Sequence, residues 1–262
     1  MMKKLLMMLL LSLSLIGCSQ RLAYNNLGWL AGYYVADYVE LSDEQEEALE
    51  QDVEALVEWH RNNELPKYKQ HINALLNNWQ TMEQQDIVAH VKKARELWYT
   101  LVAKATPKIE QHLATLSQAQ RSELLSNIEA KMNEDDWQQG DQYRRYKRWL
   151  GDLSDSQRSQ VDEYFQQGEF SRQVWRAHQQ RRFNQFKQSL MLTSEGEVDA
   201  ELLRQALISS EEQLPPRMRD IQARRIQEYG AFAITLRDSL TEKQQRHFSD
   251  ELEDIASLLQ SL

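Results

Sequence analysis

The sequence is poor in the residues that cross-link or interrupt a chain. It has one Cys, so no disulfide can form within it and its stability must come from a packed core. Eight Gly and four Pro in 262 residues are well below average usage, and alternating runs of β-branched residues are missing. Gln, Glu, Leu, Ala and Arg are abundant instead, a composition that favours helices. The sequence therefore predicts an all-α fold without a sheet.

Apolar spacing and stop signals divide the chain into roughly ten to twelve predicted helices, arranged as a multi-helix bundle or as stacked helical hairpins. Apolar residues recur at helical spacing over 86–105, and the Thr106-Pro107 step is expected to end one helix and begin another. Gly151 is expected to end a helix over 137–150.

A five-residue pattern, Leu-Ser/Thr-x-x-Gln, occurs four times, beginning at Leu41, Leu116, Leu153 and Leu240. In each copy Ser or Thr stands three residues before Gln, which is the spacing of a capping box at a helix start. The intervals of 75, 37 and 87 residues between copies are too irregular for a solenoid. Each copy is therefore predicted to begin an amphipathic helix.

The N-terminus has the parts of a secretory signal. Two lysines precede the apolar run Leu5–Ile16, whose twelve residues suit a cleaved signal core but fall short of the roughly 20 that span a bilayer. The run ends in Leu15-Ile16-Gly17-Cys18, which resembles the bacterial lipobox. The resemblance implies removal of residues 1–17 and transfer of diacylglycerol to the Cys18 thiol.

Lipidation would attach the protein stably to a membrane. A single acyl chain binds a bilayer only marginally, whereas two or more acyl chains anchor a protein stably. Ser19 follows the cysteine in place of Asp, which by the sorting rule of such lipoproteins favours the inner leaflet of the outer membrane, facing the periplasm. We expect a signal peptide over 1–17, a lipidated N-terminus with a juxtamembrane aromatic helix over 18–40, and a helical domain over 41–262.

Two resemblances to known families follow from these motifs. The pentapeptide resembles the Leu-Thr-x-x-Gln signature of small periplasmic stress proteins, the Spy and CpxP group, which are helical chaperones or stress sensors; those proteins are shorter and not lipidated. A longer likeness, over the mature chain, is to a family of uncharacterised proteobacterial lipoproteins, which implies an address and a fold but no activity. It rests on Tyr24-Asn25-x-Leu27-x-Trp29-Leu30, on Trp59-His60-Arg61-x-x-Glu64-Leu65-Pro66-x-Tyr68, and on Arg144–Leu150 followed by Gly151-x-Leu153-x-x-x-Gln157.

An aromatic segment, Leu22–Val39, follows the expected anchor and contains one Trp and four Tyr. Two interpretations remain open. Trp and Tyr prefer the headgroup level of a membrane, so the segment could lie there. Alternatively, and this is the reading we favour, it is a helix that packs on the bundle and bridges it to the lipid.

Charge is strongly segregated along the chain. Residues 37–58 contain ten acidic residues and no basic one, whereas residues 143–187 contain ten Lys or Arg against five Asp or Glu. The basic helices either face anionic envelope material or another protein, or they pair with the acidic helix or are solvated, with their aromatic residues turned inward. Nucleic acid is not expected as a partner, because the chain is net acidic. The candidate basic surface comprises Arg144, Arg145, Lys147, Arg148, Arg176, Arg181 and Arg182.

A compact polar cluster, Trp59, His60, Arg61 and Glu64, stands at a predicted helix end, where it is expected to fix the turn before Pro66 rather than to catalyse a reaction. The six histidines form no HExxH or other metal-ligand pattern, and no phosphate loop or GxSxG elbow is present. We therefore expect no cofactor, no metal and no enzymatic activity.

These observations favour a lipid-anchored, non-enzymatic binding or structural module of the cell envelope. Its expected partners are the membrane, through Cys18, and an unknown protein or envelope component. The alternatives are a periplasmic stress-related chaperone like the Leu-Thr-x-x-Gln group and an envelope enzyme with an unrecognised site.

Overall fold

A computed structural model describes residues 21–134, 140–191, 197–208 and 210–262. Throughout these residues the chain is helical with short connections and has no strand. Eleven α-helices and one 3-10 helix have both ends there, and residues 21–25 are also helical, which confirms the all-α prediction and the expected number of helices. The predicted signal peptide 1–17 and Cys18 lie outside the described residues.

Late helices pack on early ones. The helices are α1 Leu27–Val35, α2 Asp43–Asn63, α3 Leu65–Asn78, α4 Gln84–Thr115, α5 Gln118–Glu134, α6 Gly140–Leu150, α7 Asp155–Gln167, α8 Glu169–Met191, α9 Ala200–Ala206, the 3-10 helix Glu211–Gln213, α10 Pro216–Asp238 and α11 Glu242–Ser261. α1 packs on α2 and α9 packs on α8, while α10 packs on α4 and α11 packs on α3. The contacts of α10 and α11 therefore join the C-terminal part of the chain to its N-terminal half.

All four predicted capping boxes are present. Ser42, Ser117, Ser154 and Thr241 each accept a hydrogen bond from the main-chain N–H of the Gln three residues later. The side-chain oxygen of that Gln in turn accepts a hydrogen bond from the N–H of the Ser or Thr. The boxes begin α2, α5, α7 and α11, as predicted.

The tertiary structure joins the four boxes into two pairs, and one pair is buried. Gln157 and Gln244 donate to each other's side-chain oxygen, both at 2.9 Å. Each also donates to the carbonyl of the residue that precedes the partner box, Gln157 to Ser239 O and Gln244 to Asp152 O, both at 3.0 Å. One side-chain amide thus caps its own helix and binds the start of another.

The other pair repeats this arrangement at a half-exposed position. Gln120 donates to Gln45 Oε1 at 2.7 Å, and Gln45 donates to Gln120 Oε1 at 3.3 Å. The additional acceptors are Thr115 O, 2.9 Å from Gln45 Nε2, and Glu40 O, 2.8 Å from Gln120 Nε2. Paired boxes are 75 and 87 residues apart in the sequence, so each pair fastens a later helix start to an earlier one.

Three clusters of buried apolar side chains fill the bundle. The first includes Trp79, Leu150, Leu153, Val161, Phe232, Leu236, Leu240 and Leu252. The second includes Leu113, Leu116, Leu125, Phe183, Leu190 and Leu203, and the third Ile208, Leu214 and Met218. The third cluster lies under α8, where Val174 and Trp175 pack against it.

The Thr106-Pro107 step does not divide the chain, so that prediction was wrong. α4 runs unbroken from Gln84 to Thr115 with Pro107 inside it. Pro107 has no N–H for the carbonyl four residues earlier, but the Thr106 hydroxyl donates to Val102 O at 2.8 Å on the same stretch of helix. Packing of α4 against α10 and α2 outweighs the loss of one hydrogen bond. Gly151, by contrast, ends α6 as predicted, with a φ of +72°.

Candidate functional site

The predicted polar cluster lies at the C-terminal end of α2, where it ties three parts of the chain together. His60 Nδ1 is 2.8 Å from the Tyr24 hydroxyl. The Arg61 guanidinium donates to Asn25 Oδ1 at 2.9 Å and to the main-chain oxygen of Leu262 at 3.2 Å. Three parts of the chain meet here: the segment before α1, the end of α2 and residue 262. This geometry indicates a structural role for the cluster.

The other two members of the cluster point to different surroundings. Lys104 Nζ lies 5.5 Å from the centroid of the Trp59 ring. The Glu64 side chain is buried, and its Oε1 accepts a hydrogen bond from Lys67 Nζ at 2.7 Å. Burial lowers the pKa of His60, and the charge of Glu64 opposes this shift. The four predicted residues therefore do not converge on one substrate-sized space.

In the described part of the chain, the acidic segment 37–58 makes its cross-helix ion pairs with lysines of α4 and α5 and also approaches a histidine of α4. Asp52 lies 2.9 Å from Lys108 Nζ and 3.0 Å from His112 Nε2, and Asp37 lies 3.0 Å from Lys131 Nζ. These contacts of the acidic segment are made without the basic residues of α6 and α8. The two interpretations of the basic helices stay predictions.

The first half of the predicted basic surface lies on α6. Its cationic side chains, Arg144, Arg145, Lys147 and Arg148, are exposed. Lys147 Nζ is 2.8 Å from Asp152, just beyond the helix end. The aromatic side chains of the same helix, Tyr143, Tyr146 and Trp149, turn inward and pack on the first apolar cluster.

The second half lies on α8 and borders a groove. Arg176 and Arg181 are exposed, while Arg182 is half-buried and its Nε donates to Ala206 O at 2.8 Å. The groove has a volume of about 350 Å³ and lies between α8 and the start of α10. Its lining consists of Gln173, Val174, Ala177, Arg181, Pro215, Arg217 and Met218.

The groove combines apolar walls with positive charge. Met218 is buried, and the Arg217 guanidinium lies 5.9 Å from the centroid of the exposed Phe170 ring. Within the described residues, neither Arg181 nor Arg217 forms an ion pair with a carboxylate. Burial, and then the charges of Arg182 and Arg181, lower the pKa of the neighbouring His178. Arg181 and Arg217 therefore bring two positive charges to the groove that no described carboxylate pairs with.

Sequence reasoning missed a histidine pair between α3 and α4. His71 Nδ1 and His90 Nδ1 are 3.4 Å apart, and the ring centroids are separated by 4.7 Å. His71 stands seven residues before the end of α3, and His90 stands six residues after the start of α4. Two positions at nearly equal distances from the turn of a helical hairpin face each other. The similar spacing of His71 and His90 from the turn was therefore the feature of the sequence that could have predicted the pair.

This pair predicts a loss of stability on acidification. Burial lowers the pKa of both histidines, and the charges of His90 and Lys93 lower that of His71 further. A pKa below the ordinary histidine value of 6.5 means that the unfolded chain binds more protons, so the free energy of unfolding falls as the pH drops through 6.5. We expect the His71→Gln/His90→Gln double variant to roughly halve this pH dependence in urea unfolding between about pH 7 and pH 5.

His247→Gln serves as the control for this experiment, because it removes a histidine outside the pair. The double variant should retain part of the pH dependence, since burial also lowers the pKa of His60 and of His178. An unchanged pH dependence in the double variant would contradict the assignment.

Metal-ligand clusters and membrane-spanning helices are both absent from the described residues. No group of three or more His, Cys, Asp or Glu side chains there is placed to hold a metal ion. In the same part of the chain, no helix combines the length and apolar character needed to cross a bilayer.

Comparison with known proteins gives one match. The model of a family of unknown function (DUF6279) matches residues 37–219, which is more than half of the chain. The chain belongs to this family. The DUF6279 segment runs from just before α2 into the first turn of α10, so it contains the polar cluster, the basic residues and the whole lining of the groove, whereas α1 and α11 lie outside it. No curated protein and no solved structure matches the chain significantly. The likeness to periplasmic stress proteins and the localisation as a lipoprotein of the cell envelope stay predictions.

Proposed function

We propose that this protein is a lipid-anchored component of the cell envelope that binds, without catalysis, an anionic molecule carrying an apolar group. The anchor is supported by the lipobox-like Leu15-Ile16-Gly17-Cys18 and by the absence of any second cysteine in the sequence. Ser19 supports the outer membrane as its location. The binding surface is the groove between α8 and α10.

The observation that carries this proposal is the chemistry of the groove. Arg181 and Arg217 offer guanidinium forks, which bind phosphate or carboxylate oxygens in pairs and keep their charge at any physiological pH. Val174 and Ala177 supply apolar surface beside them, above the buried Met218. Ligand sites usually combine apolar walls with a few polar groups in this way. A purely polar anion would gain nothing from the apolar walls, and a neutral alkyl chain would accept no hydrogen bond from the arginines.

The test uses the full-length lipidated chain in nanodiscs of neutral lipid, titrated with hexyl phosphate by calorimetry. Hexanol and inorganic phosphate each carry half of the proposed chemistry and should bind more weakly than hexyl phosphate. We expect Arg181→Gln and Arg217→Gln each to raise the Kd about fivefold, roughly 1 kcal/mol for a partly exposed charge-assisted hydrogen bond.

Arg246→Gln is the matched control, since this exposed arginine on α11 lies 3.6 Å from Glu242 and far from the groove in sequence. Its Kd should equal that of the wild type. The proposal fails if hexyl phosphate does not bind, or if the two groove variants bind it as tightly as the control does.

A further inference from the structure

Helix α1 is fixed on α2 by two glycines. A Cβ atom on Gly28 would lie 2.7 Å from Glu54 Cγ and 3.0 Å from the main-chain oxygen of Glu50, and one on Gly32 would lie 2.5 Å from Glu46 Oε1. At Gly28 the close approach to the Glu50 main chain leaves no room for a side chain, and at Gly32 the helix lies against the Glu46 side chain. The orientation of α1 relative to the bundle is therefore set by this close packing on α2.

The rest of α1 and the residues just before it expose large apolar side chains. Leu22, Trp29, Tyr33 and Tyr34 have exposed fractions of 66%, 65%, 70% and 62%. They are half of the eight large hydrophobic residues that are exposed in the described part of the chain, and they lie within 13 residues of sequence. A cluster of this kind on a rigid helix marks a contact surface rather than scattered surface residues.

The covalent chain limits how far this surface can lie from the expected anchor. Leu22 is four residues after Cys18, and four extended residues reach at most about 14 Å. The headgroup layer on one side of a bilayer is itself about 5–8 Å thick. A lipid on Cys18 therefore holds the start of the exposed surface at or next to the headgroups.

We propose that the exposed face formed by Leu22, Trp29, Tyr33 and Tyr34 rests in the headgroup layer of the membrane that holds the lipid on Cys18. This inference depends on the lipid anchor of the proposed function. Trp and Tyr suit the position, because each combines an apolar ring with a polar group that can stay hydrated. The glycine contact with α2 then transmits this orientation to the whole bundle. Packing on α2 agrees with the favoured interpretation of the aromatic segment, and the proposal assigns the membrane to the other face of α1.

The experiment uses the full-length lipidated chain reconstituted in vesicles of phosphatidylcholine and phosphatidylethanolamine that are brominated near the headgroup end of the acyl chains. Uncharged vesicles are chosen because the ten acidic residues of 37–58 follow α1 directly and would be repelled by anionic lipid. Bromine quenches Trp fluorescence on contact. We expect bromine-dependent quenching in the wild type and loss of most of it in Trp29→Phe.

Trp98→Phe is the matched control, because Trp98 on α4 has an exposed fraction of 60%, close to that of Trp29, but lies away from the anchor in sequence. Its quenching should equal that of the wild type. Loss of quenching in Trp98→Phe to the same extent as in Trp29→Phe, or no quenching in the wild type, would overturn the inference.

Flotation of the same samples separates the two proposals. If the chain floats with the vesicles but Trp29 is not quenched, the membrane-facing surface is refuted and the anchor stands. If the chain does not float, the anchor of the proposed function is refuted, and the inference about α1 is refuted with it.

Discussion

Replacing Arg121 by Met should lower the free energy of unfolding by about 4 kcal/mol. Arg121 is buried on α5, and its guanidinium donates to Leu116 O at 3.1 Å, Ala114 O at 3.3 Å and Leu190 O at 3.0 Å. These carbonyls belong to the C-terminal ends of α4 and α8, where the helices themselves offer no donor. A positive charge there is also favoured by both helix dipoles.

Met fills a similar volume but supplies no donor, so the buried carbonyls of Leu116 and Leu190 lose a hydrogen bond at a cost of roughly 1–3 kcal/mol each, and the part-buried Ala114 carbonyl loses one at a smaller cost. Removing a buried charge offsets part of this loss. The melting temperature should fall by about 10 °C for a protein of this size. Urea unfolding followed by far-UV circular dichroism measures the effect.

Two further variants make this prediction specific. Arg121→Lys keeps the charge but has one ammonium in place of the planar fork, so its loss of stability should be intermediate. Arg246→Met, at an exposed position on α11, should change stability by less than about 0.5 kcal/mol. A stability of Arg121→Met within about 1 kcal/mol of the wild type would show that water or other donors replace the guanidinium.

The second large effect is expected at the buried pair of capping boxes. Gln157→Ala leaves three groups without their partner: the buried side-chain amide of Gln244 and the part-buried Ser154 N–H and Ser239 carbonyl. We expect a loss of about 3 kcal/mol in the free energy of unfolding. Gln45→Ala removes the same chemistry from the half-exposed pair, where water can replace the lost bonds, and should cost about 1 kcal/mol.

A double-mutant cycle tests the pairing itself. Gln157→Ala and Gln244→Ala remove the same two side-chain hydrogen bonds, so the double variant should lose less stability than the sum of the single variants. Gln157→Ala and Gln45→Ala belong to different pairs and should be additive. Equal costs at the buried and half-exposed pairs would show that capping alone, and not the contact between boxes, stabilises the fold.

Local sequence was sufficient wherever a structure depends on neighbours in the chain. The four boxes and the stop at Gly151 follow from the hydrogen-bonding capacity of Ser, Thr and Gln and from the backbone freedom of Gly. The inward aromatics of α6 follow from helical periodicity, which places charged and apolar residues on opposite faces. Pro107 marks the limit of this reasoning, because packing overrode a local signal there.

Only one of the two arginines of the candidate groove could be identified from the sequence. Arg181 was found in the basic segment, but its partner Arg217 lies 36 residues later and was not singled out. Nothing local shows that α10 begins beside α8. The buried Arg121 was missed for a similar reason, since a lone arginine on a helix is usually exposed.

The sequence by itself therefore determined the helices, their starts, the single cysteine and the segregation of charge, because composition, periodicity and capping act within a few residues. Only the tertiary structure decided which boxes pair, which carbonyls Arg121 binds, that His71 meets His90, and which face of α1 stays exposed. Four boxes of one pattern offer equivalent local chemistry, and burial against a particular neighbour is what distinguishes them.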